Sequence, residues 1–113
     1  MSLPQSDIEI NVELDDEKMP VDIAWRSRQD ANWMNCKGMM LAFFDKESKD
    51  TFRIDLWTKD MQVMEMDRFV FHTMRSMADT YLKATNNKEL AEEMQSFVTH
   101  FAKSTGLISN EGE

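Results

Sequence analysis

The spacing of apolar residues changes once along this 113-residue chain, from a period of two to a period near 3.6, at about residue 60. Strands therefore come first and helices second. That order leaves few architectures open. Strands in a run followed by helices in a run give an α+β domain, because parallel βαβ units would need the two to alternate.

The alternation is clearest at the start. Ile8, Ile10, Val12 and Leu14 share one side of Asp7–Leu14, and the residues between them are polar. After a polar turn at Asp15–Lys18, Val21, Ile23 and Trp25 repeat the pattern behind Pro20. Residues 26–35 are polar and read as a loop. Lys37 to Phe44 is a richer run. It puts Met39, Leu41 and Phe43 on one face and Met40, Ala42 and Phe44 on the other. The charged stretch Asp45–Asp50 suits a hairpin loop. Thr51 to Trp57 follows, with Phe52, Ile54 and Leu56 on one side and Arg53, Asp55 and Trp57 on the other.

The helical half has two segments. In the first, from about Met66 to Lys83, the apolar residues fill an arc of about 220° at 100° per residue, wider than the roughly 100° that one contact needs. In the second, about 88–104, Leu90, Met94, Phe97, Val98 and Phe101 form a narrower stripe. Asn86 with Glu89 fits a capping box between them, and Gly106 fits a left-handed helix end. The expectation is one α+β domain over 7–106: a four-stranded antiparallel, meander-like sheet followed by two helices packed on one face. The ends, 1–6 and 107–113, lack periodic burial and read as loose.

Charge narrows the partners. The formal net charge is −8. The stretch from Cys36 to Asp60 is neutral and its flanks are acidic, so no basic stripe exists to displace counterions from nucleic acid or to sit on anionic lipid. No segment has the roughly 20 apolar residues of a membrane helix, and the first residues do not read as a signal peptide. A single cysteine, Cys36, leaves no internal disulfide. These features read as cytoplasmic, without direct membrane insertion.

Catalytic chemistry finds little support. His72 and His100 lie on or beside polar helix faces, and no HExxH, GxSxG or phosphate-loop pattern accompanies them. Two solvated histidines are the plainer reading. Asp15-Asp16-Glu17 offers oxygens, but the glycine and final glutamate of an EF-hand loop are missing, so a solvated turn is the better account. Lys37 beside Cys36 would favour a reactive thiolate, yet a part-buried thiol at a strand start is commoner. No catalytic residue, cofactor or metal is expected.

Binding chemistry is better represented. Eleven residues are Met, a side chain that repacks around varied surfaces. Most of these serve a core as filler, but Met61 and Met64 fall at the turn between the strand and helix halves. On the last strand, Trp57 stands on the same side as Arg53 and Asp55. Trp and Arg are the residues that dominate binding hot spots. Packing of Trp57 at the sheet edge, with Lys59 over the ring, is the competing account. The wide apolar arc and a second apolar sheet face favour a homodimer over a monomer.

Arg53-Ile54-Asp55-Leu56-Trp57-Thr58-Lys59-Asp60-Met61 resembles a signature of the gliding motility protein GldC family, as do Ser76–Thr80 with Ala84–Asn86 and the opening strand Ile8–Leu14. The likeness covers about 7–104, and the nine-residue segment is its specific part. Gln62 departs from the family, where proline is expected, which bears on how the first helix begins. The resemblance implies a small accessory protein of flavobacterial-type gliding, coupled to a dedicated secretion system, with no enzymatic activity or catalytic residue to carry over. Its partner would be another protein of that machinery. The expected contact surface is Arg53, Asp55, Trp57, Lys59, Asp60, Met61 and Met64. An acidic export chaperone holding secretion clients is the alternative.

Overall fold

A computed structural model describes residues 3–109. The order is β1 (Ile8–Leu14), β2 (Pro20–Ser27), β3 (Met34–Cys36), β4 (Gly38–Phe44), β5 (Thr51–Trp57), α1 (Val63–Thr85) and α2 (Lys88–Ser104). The chain divides into two compact units, one ending at Met61 and the other starting at Gln62. Of the ends expected to be loose, residues 3–6 and 107–109 carry no strand or helix, while 1–2 and 110–113 lie outside the described residues.

The α+β class and antiparallel pairing hold, but the single four-stranded meander does not. The described residues form two sheets, β1-β2-β3 and β4-β5. The extra strand, β3, lies mostly in the stretch read as a loop. It has three residues, too few to show a period of two, with polar Asn35 at its centre. Pairing reveals it: Ile23, Ala24 and Trp25 sit opposite Cys36, Asn35 and Met34. A bend at Lys37 then turns the chain out of the first sheet. β4 consequently pairs with β5 rather than continuing the ladder.

The three-stranded sheet is amphipathic as its alternation required. Val12 faces Ile23 and Ile10 faces Trp25 on one side. Arg26 meets Glu9 at 3.4 Å, and Asn35 Nδ2 donates to Asp22 at 3.0 Å, among the polar residues between. Among the described residues only Ile23, at the centre, is a fully buried large side chain. Ile8, Ile10 and Leu14 were expected to face in but are exposed, since β1 is an edge with a neighbour on one side only.

Both turns are held by aspartates. Asp15 accepts from the backbone of Glu17 (2.9 Å) and Met19 (3.0 Å), and from Lys59 Nζ at 2.7 Å. Asp45 accepts from the backbone of Glu47 (3.1 Å) and Ser48 (2.8 Å). The Lys59 ammonium, followed by the Met19 amide, draws the Asp15 carboxyl below its ordinary 3.8. The Ser48 amide and hydroxyl do the same for Asp45. A depressed carboxylate stabilises the fold fully above its unfolded pKa, and that contribution disappears as pH falls through the lower folded value. Melting temperature should therefore drop as pH falls below about 4. Asp15→Asn should flatten part of that slope, measured by thermal scans at stepped pH.

The helices form a hairpin. Gln62 caps α1, and its N–H donates to Glu65 Oε1 at 3.0 Å, a bond that proline at this position would forgo. The link to α2 divides its work differently from the expected Asn86–Glu89 box. Asn86 takes the left-handed conformation (φ 58°) that ends α1, and the Asn87 side chain caps α2 by accepting from the Leu90 amide at 3.2 Å. Gly106, at φ 79°, follows the end of α2 as expected. Ala78, Ala91, Val98 and Ala102 are buried, and their small size lets the two helices approach closely.

Candidate protein-binding site

The β4–β5 register decides which residues share a face. Arg53 lies opposite Ala42, Asp55 opposite Met40, and Trp57 opposite Gly38. Side chains alternate along a strand, so Arg53, Asp55 and Trp57 line one side together with Met40, Ala42 and Phe44. Arg53 grips Asp55 in a fork, with Nε to Oδ2 at 3.1 Å and Nη2 to Oδ1 at 2.8 Å. The Asp55 carboxylate holds the guanidinium above its ordinary value. Trp57 is 53% exposed and Phe44 70%. Gly38, opposite Trp57 in the ladder, has no side chain to set beside the indole. The face thus offers a planar aromatic, a fixed fork of donors and an exposed phenyl ring. This chemistry can recognise another protein surface.

The rest of the nine-residue segment has a different part. Thr58 is buried at 3% exposure. Its amide donates to the Lys37 carbonyl at 2.8 Å, where the chain bends between the sheets. Its hydroxyl donates to Asp60 Oδ1 at 2.5 Å. The Lys59 amide donates to the Pro20 carbonyl at 3.1 Å, and its ammonium reaches Asp15. Thr58 and Lys59 therefore tie the end of β5 to the β3–β4 bend and to the start of β2. Of the seven expected contact residues, Arg53, Asp55 and Trp57 share an exposed face, while Lys59 and Asp60 hold the strand unit together. Lys59 spans to Asp15 and does not cap the indole. Met61 is half-buried, and Met64, in the first turn of α1, is 76% exposed.

Thr58 was not singled out by its sequence, because a threonine in a polar tripeptide carries no burial signal. Thr58→Val should keep the volume and lose the hydroxyl's bonds, lowering stability by about 1 kcal/mol in urea unfolding. The Thr58 hydroxyl is the main cause, ahead of the Lys37 charge, that lowers the Asp60 carboxyl. The same variant should let that carboxyl titrate higher, as read by NMR.

The other candidates fall away in this geometry. Burial, with Asp22 nearby, pushes the Cys36 thiol up, opposite to the effect expected of Lys37, and the thiol donates to the Ile23 carbonyl at 3.5 Å. The Asp15 oxygens are occupied by two amides and an ammonium. His72 is exposed beside Phe71 (5.0 Å between rings), and His100 lies 3.5 Å from Ser104 Oγ. Among the described residues no three His, Cys, Asp or Glu side chains gather as metal ligands. No described helix is long and apolar enough to cross a membrane. An aromatic contact missed by the sequence reading is Arg26, whose guanidinium sits 4.4 Å over the Trp33 ring.

The family model of gliding motility-associated GldC-like proteins matches residues 20–107, most of the span over which the likeness was expected. Curated proteins and solved structures give no match. The match takes in β2 to the end of α2, including the Arg53–Met61 segment and the turns that hold it. The chain belongs to the gliding motility-associated GldC-like family.

Proposed function

We propose that this chain is a non-enzymatic accessory protein of bacterial gliding motility that works in the cytoplasm by binding another protein of the motility or secretion machinery. The family supports the setting. The observation that carries the binding role is the Arg53–Asp55 fork beside a half-exposed Trp57 on one strand face. An exposed Trp costs solubility unless something covers it, and the fork presents its donors already oriented.

The test is affinity capture from a gliding cell, read by mass spectrometry. The control bait carries Arg53→Ala, Asp55→Ala and Trp57→Ala, with folding checked by circular dichroism. Motility or secretion components held by the native bait and lost by the control are the expected result. Equal recovery by both baits would remove this face from the reading.

A second reading, an acidic chaperone for export clients, draws on the helical unit. Met77 and Phe97 are 53% and 55% exposed there. Flexible Met beside an aromatic suits varied clients, and net negative charge keeps such complexes soluble. It predicts that near-stoichiometric amounts suppress client aggregation. Absence of suppression excludes it.

A further inference from the structure

Helix α2 carries two stripes, and one of them packs on α1. Ala91, Gln95, Val98 and Ala102 form the stripe turned to α1. Three of them are buried, and Gln95 Nε2 reaches the Arg75 carbonyl at 3.4 Å and Asp79 at 3.3 Å. About 100° around the helix, Leu90, Met94, Phe97 and Phe101 repeat at four-three-four spacing. This is the spacing of a helix-pairing seam. It is open in part: Leu90 is 45% exposed and Phe97 55%, while Met94 and Phe101 are half-buried. Beside it runs a groove of about 230 Å³ between the helices, lined by Met74, Met77, Met94, Phe97 and Val98.

The stripe is complementary to itself when reversed. Turned end for end about the midpoint of Gln95 and Ser96, Leu90 meets Phe101 and Met94 meets Phe97. Each contact occurs twice, as two-fold symmetry requires. Glu93 and His100, both exposed, flank the seam on the side away from α1. The same rotation brings Glu93 of one copy beside His100 of the other. An imidazole N–H donates to a carboxylate whether the ring is neutral or charged. The 17 residues of α2 extend about 25 Å. A face two helices wide, about 20 Å, is then on the scale of the roughly 800 Å² that each side of a standard interface buries.

We propose that the chain forms a two-fold homodimer in which α2 lies antiparallel to α2 of a second copy, so that two helical hairpins close into a four-helix layer. A phenyl ring of Phe97 from each copy then fills the groove beside Met94 of the other. This interface rests on no part of the strand-face reading and uses none of Arg53, Asp55 and Trp57. It does cover Met77 and Phe97, the surface that the chaperone reading needs.

Sedimentation of the full chain across the micromolar range tests it. The expected species is twice the 13.3 kDa chain mass. His100→Glu should raise the dimer Kd about tenfold, because it places two Glu–Glu contacts in the interface, and Glu93→Lys should raise it less, because it removes the carboxylate that accepts from the imidazole. The double variant Glu93→Lys, His100→Glu sets opposite charges against each other and should return the Kd to near its native value. Phe97→Asp should give a monomer with its helical signal kept. A native chain that stays at 13.3 kDa throughout overturns the proposal. So does a dimer indifferent to both single charge variants, or a double variant no tighter than the singles.

Discussion

Ile23→Ala is expected to lower the free energy of unfolding by about 3 kcal/mol, within the 2–5 kcal/mol typical of such truncations. Among the described residues Ile23 is the one fully buried large side chain, set on the central strand between Val12 and Cys36. Its neighbours are held by two ladders and have little room to collapse into the vacated space, so both the transfer and cavity costs apply. A small domain has only about 5–15 kcal/mol in total, so the loss is a large fraction. Ile10→Ala, two strand positions away on an edge and 39% exposed, should cost about 1 kcal/mol. Trp25, Trp33 and Trp57 all precede Met61, so indole fluorescence in urea reports the strand unit, while helical dichroism reports α1 and α2. The fluorescence midpoint should move more for Ile23→Ala than for Ile10→Ala. Equal shifts would mean that the first sheet is not centred on β2.

Trp57→Ala should weaken binding of a captured motility partner by at least about 30-fold while leaving the fold intact. The two effects separate because of where the indole sits. It is 53% exposed and faces a glycine across the ladder, so the folded chain loses few contacts when it is removed. An interface that covers it loses a large, rigid apolar surface. The Arg53–Asp55 pair behaves similarly. Its side chains are 47% and 40% exposed, and ion pairs in that setting contribute between zero and about 1 kcal/mol to stability. Replacing both with Ala should therefore leave melting nearly unchanged. Arg53→Ala alone should weaken binding more than it weakens the fold. Calorimetry of native and variant chains against the purified partner measures this. A Trp57→Ala affinity within threefold of native would place the contact elsewhere.

Local patterns were read well because they are set by neighbours in sequence. Alternation in Ile8–Leu14 and Thr51–Trp57 fixes which side chains share a face whatever those strands pair with. Rotation of 100° per residue does the same for α1 and α2. The two-residue link at Asn86-Asn87 was placed correctly, but its roles were not. Whether an asparagine ends one helix or begins the next depends on its φ, and composition does not encode that. The candidate site was half legible. Arg53, Asp55 and Trp57 share their face by alternation alone. Lys59 and Asp60 look equally available in sequence, but they are engaged by Asp15 and Thr58, 44 and two residues away.

By itself, then, the sequence determined the strand and helix segments, the facing of their side chains, the acidic character and the family. All of these depend on composition or on interactions within a few residues. Tertiary structure alone decided that three residues too few to show alternation, Met34–Cys36, complete the first sheet, and that β4 leaves it to pair with β5. It also decided that Ile23 is buried while Ile8, Ile10 and Leu14 stay exposed. Each of these outcomes turns on hydrogen bonds between distant backbones, such as Thr58 to Lys37 and Lys59 to Pro20. A period of two states that a strand will have a buried side, but the choice of neighbour, and so of burial, is made only when the strands meet.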